Sequence, residues 1–240
     1  MKSKIALLSA VNDSFLESYL TMMYSLYKHN SSFRLMDTIV IDTGLSHQSK
    51  INIRNNIKGV NIIRDNIKVN SGNISTPNRL LKSFSKLQAF DIKSHDYIVV
   101  IDCDMVIIKK WDIDFDSLPT HTISACKAHL LKQGEMNFFN GGFIIIPKSI
   151  DVSSDKLLSL LNKKTSGLAE QDILNLKFKD FNVLPKKYNV EKKLFSKFSK
   201  TCTVIHYVGA EKPWTSNSKN FNYEIWRTYN SEMKKTMKLL

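Results

Sequence analysis

Tyr97-Ile-Val-Val-Ile101 is a run of five apolar residues with no polar residue interleaved. A strand of that kind has no face to offer water. It belongs at the centre of a sheet covered on both sides, and such sheets are mostly parallel. The first two-thirds of the chain alternates as such a sheet requires. Ile5 to Val11 reads as a buried strand, and Phe15, Tyr19, Met22, Met23, Leu26 and Tyr27 follow at helical spacing behind a cap at Asp13 or Ser14. Thr38 to Ile41 is a second strand ended by Asp42-Thr-Gly44, Ser46 to Ile57 a polar helix, and Val60 to Ile63 a third strand. This β-α-β-α-β repeat predicts an α/β fold, with a mostly parallel central sheet flanked by helices. Further along, Asn66 to Asn78 reads as a mobile loop and Leu80 to Ile92 as a helix. Thr122 to Cys126 and Phe143 to Ile146 read as strands, and Ser154 to Leu161 and Gln171 to Phe178 as helices.

The 240 residues are 42% hydrophobic and 24% charged with only 8 Gly and 5 Pro, which suits a packed core and excludes a disordered or collagen-like chain. No internal repeat or clear linker interrupts them. Cys103, Cys126 and Cys202 are odd in number and lack CxxC spacing, so neither a disulfide framework nor a zinc knuckle is expected and a reducing cytosol fits. The charged start Met1-Lys-Ser-Lys4 precedes a largely apolar run of only seven residues, cut by Asn12-Asp13; a first strand is expected there, not an export signal. No stretch approaches the ~20 apolar residues of a membrane-spanning helix. The 35 Lys and Arg against 22 Asp and Glu give a net charge of +13, which admits nucleic acid, anionic lipid or a phosphorylated small molecule as partner.

Asp102-Cys103-Asp104 follows directly on the central strand. An Asp-x-Asp tripeptide is common by itself, and Asp112, Asp114 and Asp116 supply two more. Placement separates the first from the others, because open α/β sheets bind ligands at the carboxyl ends of their strands. Two carboxylates held that close repel unless a cation lies between them, and oxygen ligands suit Mg²⁺ or Mn²⁺ carrying a diphosphate. Val204-Ile-His206-Tyr-Val-Gly209-Ala-Glu-Lys212-Pro-Trp214 is a strand emptying into a loop. There His206 offers a nitrogen to a borderline metal, Gly209 permits close backbone approach to a phosphate, and Lys212 neutralises phosphate charge. Taken singly, each of these also reads as plain structure: a solvated pair in a turn, a core histidine, a packed Pro-Trp. Asn137 to Ile146 and Ala169 to Asn175 read similarly as a turn into a strand and a helix N-terminus.

The ordered set Asp102-Cys-Asp104, Phe139-Asn-Gly-Gly, Glu170-Gln-Asp-Ile-Leu-Asn and His206-Tyr-Val-Gly-Ala-Glu-Lys-Pro-Trp resembles glycosyltransferase family 8, the family of glycogenin and bacterial lipopolysaccharide galactosyl- and glucosyltransferases. Ala10-Val-Asn-Asp-Ser-Phe15, Asp42-Thr-Gly-Leu-Ser46 and Lys86 match as well, so the motifs run from residue 8 to 214. With residues 220–240 read from their spacing as a basic amphipathic helix, the resemblance implies a GT-A fold over residues 1–219. It implies Mn²⁺, with Mg²⁺ as the alternative, a UDP-sugar donor, a glycan acceptor such as lipopolysaccharide core or capsule, and retention of anomeric configuration. Asp102, Asp104 and His206 would hold the metal. Ala10, Asn12 and Phe15 would line the uracil and ribose site, with Cys103 contributing backbone there. Lys86, Asn140, Gly141, Glu170 and Gln171 would surround the donor sugar, with Gln171, Glu170 and Asn140 nearest the chemistry, and Gly209 and Lys212 would hold the diphosphate.

Three positions depart from the family pattern: Glu170 stands where Asp is usual, Gly141 where Ala or Ser is usual, and Phe15 where Tyr is common. Alternatives to the hexosyltransferase are a glycogenin-like self-glucosylating protein and a basic membrane- or nucleic-acid-binding module. No nucleic-acid-binding module is recognisable, so none is expected as partner. Residues 186–240 hold twelve Lys or Arg against four Glu, a local +8. Ile225, Trp226, Tyr229, Met233, Met237 and Leu240 recur there at helical spacing, with Arg227, Lys234, Lys235 and Lys238 largely off that stripe. That pattern serves a helix packed on the domain or an interfacial helix that keeps a cytoplasmic enzyme at the inner face of an anionic plasma membrane.

Overall fold

The computed structural model describes residues 3–69, 76–130, 134–161 and 169–237. In chain order the elements are β1 (Ile5–Val11), α1 (Leu16–His29), β2 (Asp37–Asp42), α2 (His47–Asn56), β3 (Asn61–Arg64), β4 (Tyr97–Ile101), β5 (Met105–Ile107), β6 (Ser124–Leu130) and β7 (Gly134–Pro147). There follow α3 (Ser154–Leu158), α4 (Glu170–Lys177), β8 (Asn182–Val183), β9 (Val190–Glu191), α5 (Phe195–Phe198), β10 (Val204–His206) and α6 (Phe221–Thr236).

Seven strands form one sheet in the order β3-β2-β1-β4-β7-β6-β8, and β5, β10 and β9 form a second, small one. The apolar run 97–101 is β4, the central strand of the large sheet, and all five of its residues are buried. Four of the six pairings in that sheet are parallel; β7 runs antiparallel to both β4 and β6. The expected first strand is β1, paired with β2 on one side and β4 on the other. Side chains alternate between two cores, as a pleated sheet dictates. Leu7, Val11, Val99 and Ile101 face α1 and α2, whereas Ala6, Leu8, Ile98 and Val100 face Phe84, Leu87, α3 and α4.

Two expected elements differ in detail. The helix foreseen over 80–92 is a segment of 3-10 turns, Asn78–Asp91. A 3-10 turn holds three residues, so every third side chain shares a face; Leu81, Phe84, Leu87 and Phe90 fall at that interval, and the last three are fully buried. The strand foreseen at 143–146 is the end of the fourteen-residue β7, whose register against β6 shifts between Ala125 and Lys127 and again between Lys127 and His129. Of the loop expected over 66–78, residues 70–75 lie outside the described residues, as do Lys238 and Leu240 of the C-terminal stripe.

The apolar stripe of α6 is spent on the protein itself. Trp226 and Met233 are buried, and Asn230 Nδ2 donates to Thr21 Oγ1 of α1 at 2.9 Å. Lys28–Glu232 and Lys234–Glu17 ion pairs, both 2.6 Å, flank the contact at the surface. Among the described residues no helix is long and apolar enough to cross a membrane. Met233→Ala, which empties a fully buried site, should cost about 2–5 kcal/mol in urea unfolding. Lys235→Ala on the exposed face should stay within about 0.5 kcal/mol.

Candidate functional site

The site begins where β4 ends. Asp102 N–H donates to Gly142 O (2.9 Å), continuing the β4–β7 ladder by one residue, and the hydroxyls of Ser9 and Ser18 donate to Ile101 O and Cys103 O at 2.8 Å each. These bonds hold the turn that presents Asp102 and Asp104. The chain then enters β5, which pairs antiparallel with β10 in the register Met105↔His206. Tyr207 N–H donates to Asp104 O at 2.9 Å. A histidine roughly a hundred residues downstream is thereby set beside the carboxylates. His206 Nε2 lies 3.2 Å from Asp104 Oδ1 and 3.6 Å from Asp102 Oδ2. One ligand atom from each of the three lies within 4.8 Å of the others, the one such cluster among the described residues. Two carboxylates and an imidazole are a mixed oxygen–nitrogen set, which fits a borderline divalent ion such as Mn²⁺ better than Ca²⁺ or Mg²⁺, whose shells are mostly oxygen.

Cationic side chains crowd this cluster. Lys212 Nζ bonds Asp104 Oδ2 and also donates to Tyr207 O. Lys86 Nζ sits 2.6 Å from Asp102 Oδ1, pairs with Glu170 Oε1, and donates to Gly141 O at 3.2 Å. Burial works against ionisation of the Asp104 carboxyl, but His206 and Lys212 outweigh it and hold the group below the usual carboxylate range. Burial disfavours the Lys86 ammonium too, yet Asp102 and Glu170 overcome it and raise its pKa. For Glu170 burial prevails over Lys86, and its carboxyl is pushed up. The Cys103 thiol is raised well above its ordinary value by burial and then by the flanking aspartates, which favours the neutral thiol; it donates to Ala10 O at 3.1 Å.

The other expected residues gather around this centre. Ala10 and Cys103 meet at the adjacent ends of β1 and β4, and Asn12 Oδ1 caps the turn after β1 by accepting from Phe15 N–H (3.2 Å). Phe15 packs edge-on against Trp214, ring centroids 5.6 Å apart, and the Lys212 ammonium lies 6.0 Å from the Phe15 ring centroid. Gln171 Oε1 accepts from Gly141 N–H (2.8 Å). Asn140 Oδ1 accepts from Gly142 N–H (3.0 Å). Gly209 holds φ +98°, a conformation that favours glycine, in the exposed loop after β10. The 112–116 run is structural: Asp112 pairs with Lys187 and Tyr188, and Asp114 caps a 3-10 turn.

Two of the three departures are one event in space. A Cβ at position 141 would lie 3.1 Å from Glu170 Oε1, so the missing side chain at Gly141 gives the longer Glu170 its room. At Gly142 an added Cβ would come within 2.8 Å of both His206 Nδ1 and Met105 Cε, so glycine is required for the imidazole to occupy its place. Sequence reasoning missed Asn189, whose side chain bridges His206 Nδ1 and Asn140 Oδ1 at 2.9 Å each. Asn175, the last residue of the Glu170-Gln-Asp-Ile-Leu-Asn motif, was given no role there; it clamps α4 to Phe139 N and O. Asn189 lies in no pattern that marks it apart from an ordinary polar residue.

The profile of glycosyl transferase family 8 matches residues 6–218. Glycosyltransferase GlyF of Streptococcus pneumoniae serotype 4 is 24% identical over 167 residues, 61% of this chain and 41% of that protein. The chain thus spans well under half the length of this curated relative. In three dimensions the chain is similar to galactosyltransferase LgtC, solved with donor and acceptor sugar analogs, at a TM-score of 0.77 with 17% identity over 95% of both chains. It is also similar to glycosyltransferase GlyE of Streptococcus pneumoniae TIGR4, at 0.67 with 19% identity over 97% of this chain and 62% of the other. At these identities the likenesses carry the fold, which is GT-A.

The buried Lys86–Glu170 pair predicts a pH signature. With Lys86→Met, Glu170 stays buried without its cation, at a cost of about 3–5 kcal/mol near pH 7. A carboxyl whose folded pKa is raised costs stability above its unfolded value of about 4.3, and the cost fades as pH falls towards that value. The stability gap between wild type and Lys86→Met should therefore narrow from pH 7 to pH 5, and Lys86→Met/Glu170→Gln should close much of it at pH 7. Urea unfolding at the two pH values reads both effects.

Proposed function

The chain belongs to glycosyl transferase family 8, and from that premise we propose that it transfers a hexose, glucose or galactose, from a UDP-sugar to a glycan acceptor such as lipopolysaccharide core or capsule, with retention of anomeric configuration. The observation that carries this reading is the convergence of Asp102, Asp104 and His206 with two lysines, Lys86 and Lys212, on one spot at the carboxyl end of β4. In this reading Asp102, Asp104 and His206 hold a divalent cation, Mn²⁺ in preference to Mg²⁺, which when bound supplies Lewis-acid charge to the diphosphate. Lys212 adds positive charge beside the same carboxylates, where the diphosphate gains negative charge as the sugar leaves. Ala10, Asn12 and Phe15 border the nucleoside end. Glu170, Lys86, Asn140 and Gly141 shape the sugar end, and the extra reach of Glu170 into space opened by Gly141 bears on which sugar hydroxyls are read.

Retention needs either a covalent sugar adduct or attack from the face the nucleotide leaves. Gln171 has its carbonyl oxygen committed to Gly141 N–H and Glu170 is tied to Lys86, so neither is poised as a nucleophile. The front-face route is favoured, with the acceptor oxygen bonding the anomeric carbon and the departing phosphate oxygen taking its proton. Asp102→Asn and Asp104→Asn should each lower sugar transfer and donor hydrolysis by on the order of a hundredfold or more. UDP-glucose or UDP-galactose with Mn²⁺ should raise the melting temperature of the wild type. Unchanged turnover in both variants would return the chain to the class of basic binding modules.

With the α6 stripe packed against α1, peripheral contact with an anionic membrane falls to the basic face that carries Lys234 and Lys235. Co-sedimentation with anionic vesicles should then be salt-sensitive and weaker for Lys234→Glu/Lys235→Glu. Equal binding of wild type and variant rejects membrane contact through this helix.

A further inference from the structure

We infer that Asn189 is a positioning residue that fixes the tautomer and aim of His206, an inference that rests on reading Asp102, Asp104 and His206 as metal ligands. Asn189 is fully buried just before β9, and both ends of its amide are used: one faces His206 Nδ1, the other Asn140 Oδ1, each at 2.9 Å. Which end is which follows from a backbone group. Gly142 N–H can only donate, and it points at the Asn140 side-chain atom 3.0 Å away, so that atom is oxygen. An oxygen that faces Asn189 at hydrogen-bond distance requires the Asn189 NH₂ on that side. The Asn189 oxygen therefore faces His206, and an amide oxygen can only accept, so the proton between them resides on Nδ1.

His206 is thus left with Nε2 as its ligand nitrogen, turned towards Asp104 and Asp102 at 3.2 and 3.6 Å. The ring is held from another side by Gly142, where any Cβ would collide with it. Gly142 N–H, Asn140, Asn189 and His206 form one unbroken relay, and it begins on the residue whose carbonyl accepts from Asp102 N–H. Partners of this kind set ring orientation and ligand basicity, and their loss commonly weakens metal binding 10–100-fold. Asn140 is accordingly a support of the metal ligand as well as a neighbour of the sugar.

Two readouts test the assignment. In ¹⁵N-histidine-labelled protein at pH 8, with His206 assigned against His206→Gln, Nδ1 should carry a proton both without metal and with Zn²⁺ as a diamagnetic probe. An unprotonated Nδ1 overturns the inference. Mn²⁺ titration followed by electron paramagnetic resonance should show Asn189→Ala weakened by about 10–100-fold, and Asn189→Asp, which keeps an acceptor for Nδ1–H but loses the NH₂ that donates to Asn140 Oδ1, recovering part of that loss. A folded Asn189→Ala within threefold of wild type also overturns it; if that variant does not fold, the Nδ1 state of wild type and Asn189→Asp decides. Absence of Mn²⁺ binding to the wild type would instead reject the metal reading, while the Nδ1 proton would still be read without metal.

Discussion

Three carboxylates, those of Asp102, Asp104 and Glu170, are concentrated around one turn, and most of what surrounds them offsets their repulsion. Lys86 is inserted between Asp102 and Glu170 from the 3-10 segment, while His206 and Lys212 reach Asp104 from β10 and the loop after it. The cations come from separate elements, so the electrostatic condition is also a topological one. The large sheet must present its central strand end, the 78–91 segment must cover one face, and the small sheet must dock beside the turn. Burial sharpens the requirement, since a charge left unpaired at low dielectric is costly.

Much of this was legible in the sequence, and the reasons differ by residue. Strand β4 announced itself because an uninterrupted apolar run suits few environments other than a doubly covered sheet, and the aspartates behind it inherited their significance from that position. Strands β1 to β3 and helix α1 followed from hydrophobic period, although the side chain that caps the turn after β1 is Asn12 and not Asp13 or Ser14. The winding of 78–91 was less legible, because Leu80, Phe84 and Leu87 suit a period of 3.6 while Leu81, Phe84, Leu87 and Phe90 suit one of 3.0, and the sequence holds both sets. The convergence of His206 on the aspartates rests on the β5–β10 register, a pairing between distant short strands that leaves no local trace. Asn189 was the least visible: a single buried amide acquires meaning only from the two side chains it joins. The Gly141 and Glu170 departures could be noticed separately, but their coupling is a distance of 3.1 Å that only three dimensions supply.

The net charge of +13 resolves into parts with different duties. Lys86 and Lys212 are committed to the carboxylate cluster. Lys28 and Lys234 join helices through ion pairs with Glu232 and Glu17, and surface pairs of that sort contribute little stability singly. What decides the placement of α6 is apolar burial at Trp226 and Met233, so its basic face is a by-product of amphipathicity available for other contacts.

The β5–β10 pairing also governs when the site can exist. During synthesis the strands β1 to β4 emerge early and can pair with their near neighbours, whereas His206 emerges roughly a hundred residues after Asp104. Until β10 docks against β5, the two aspartates lack both their imidazole and Lys212, and Lys86 is the one cation of the cluster already in the chain. Capture of the third ligand is thereby coupled to a long-range pairing made late in the chain. A chain that ends before β10, or in which β10 has not docked, presents no complete cluster, so the competence of the site reports that the small sheet has formed beside the large one.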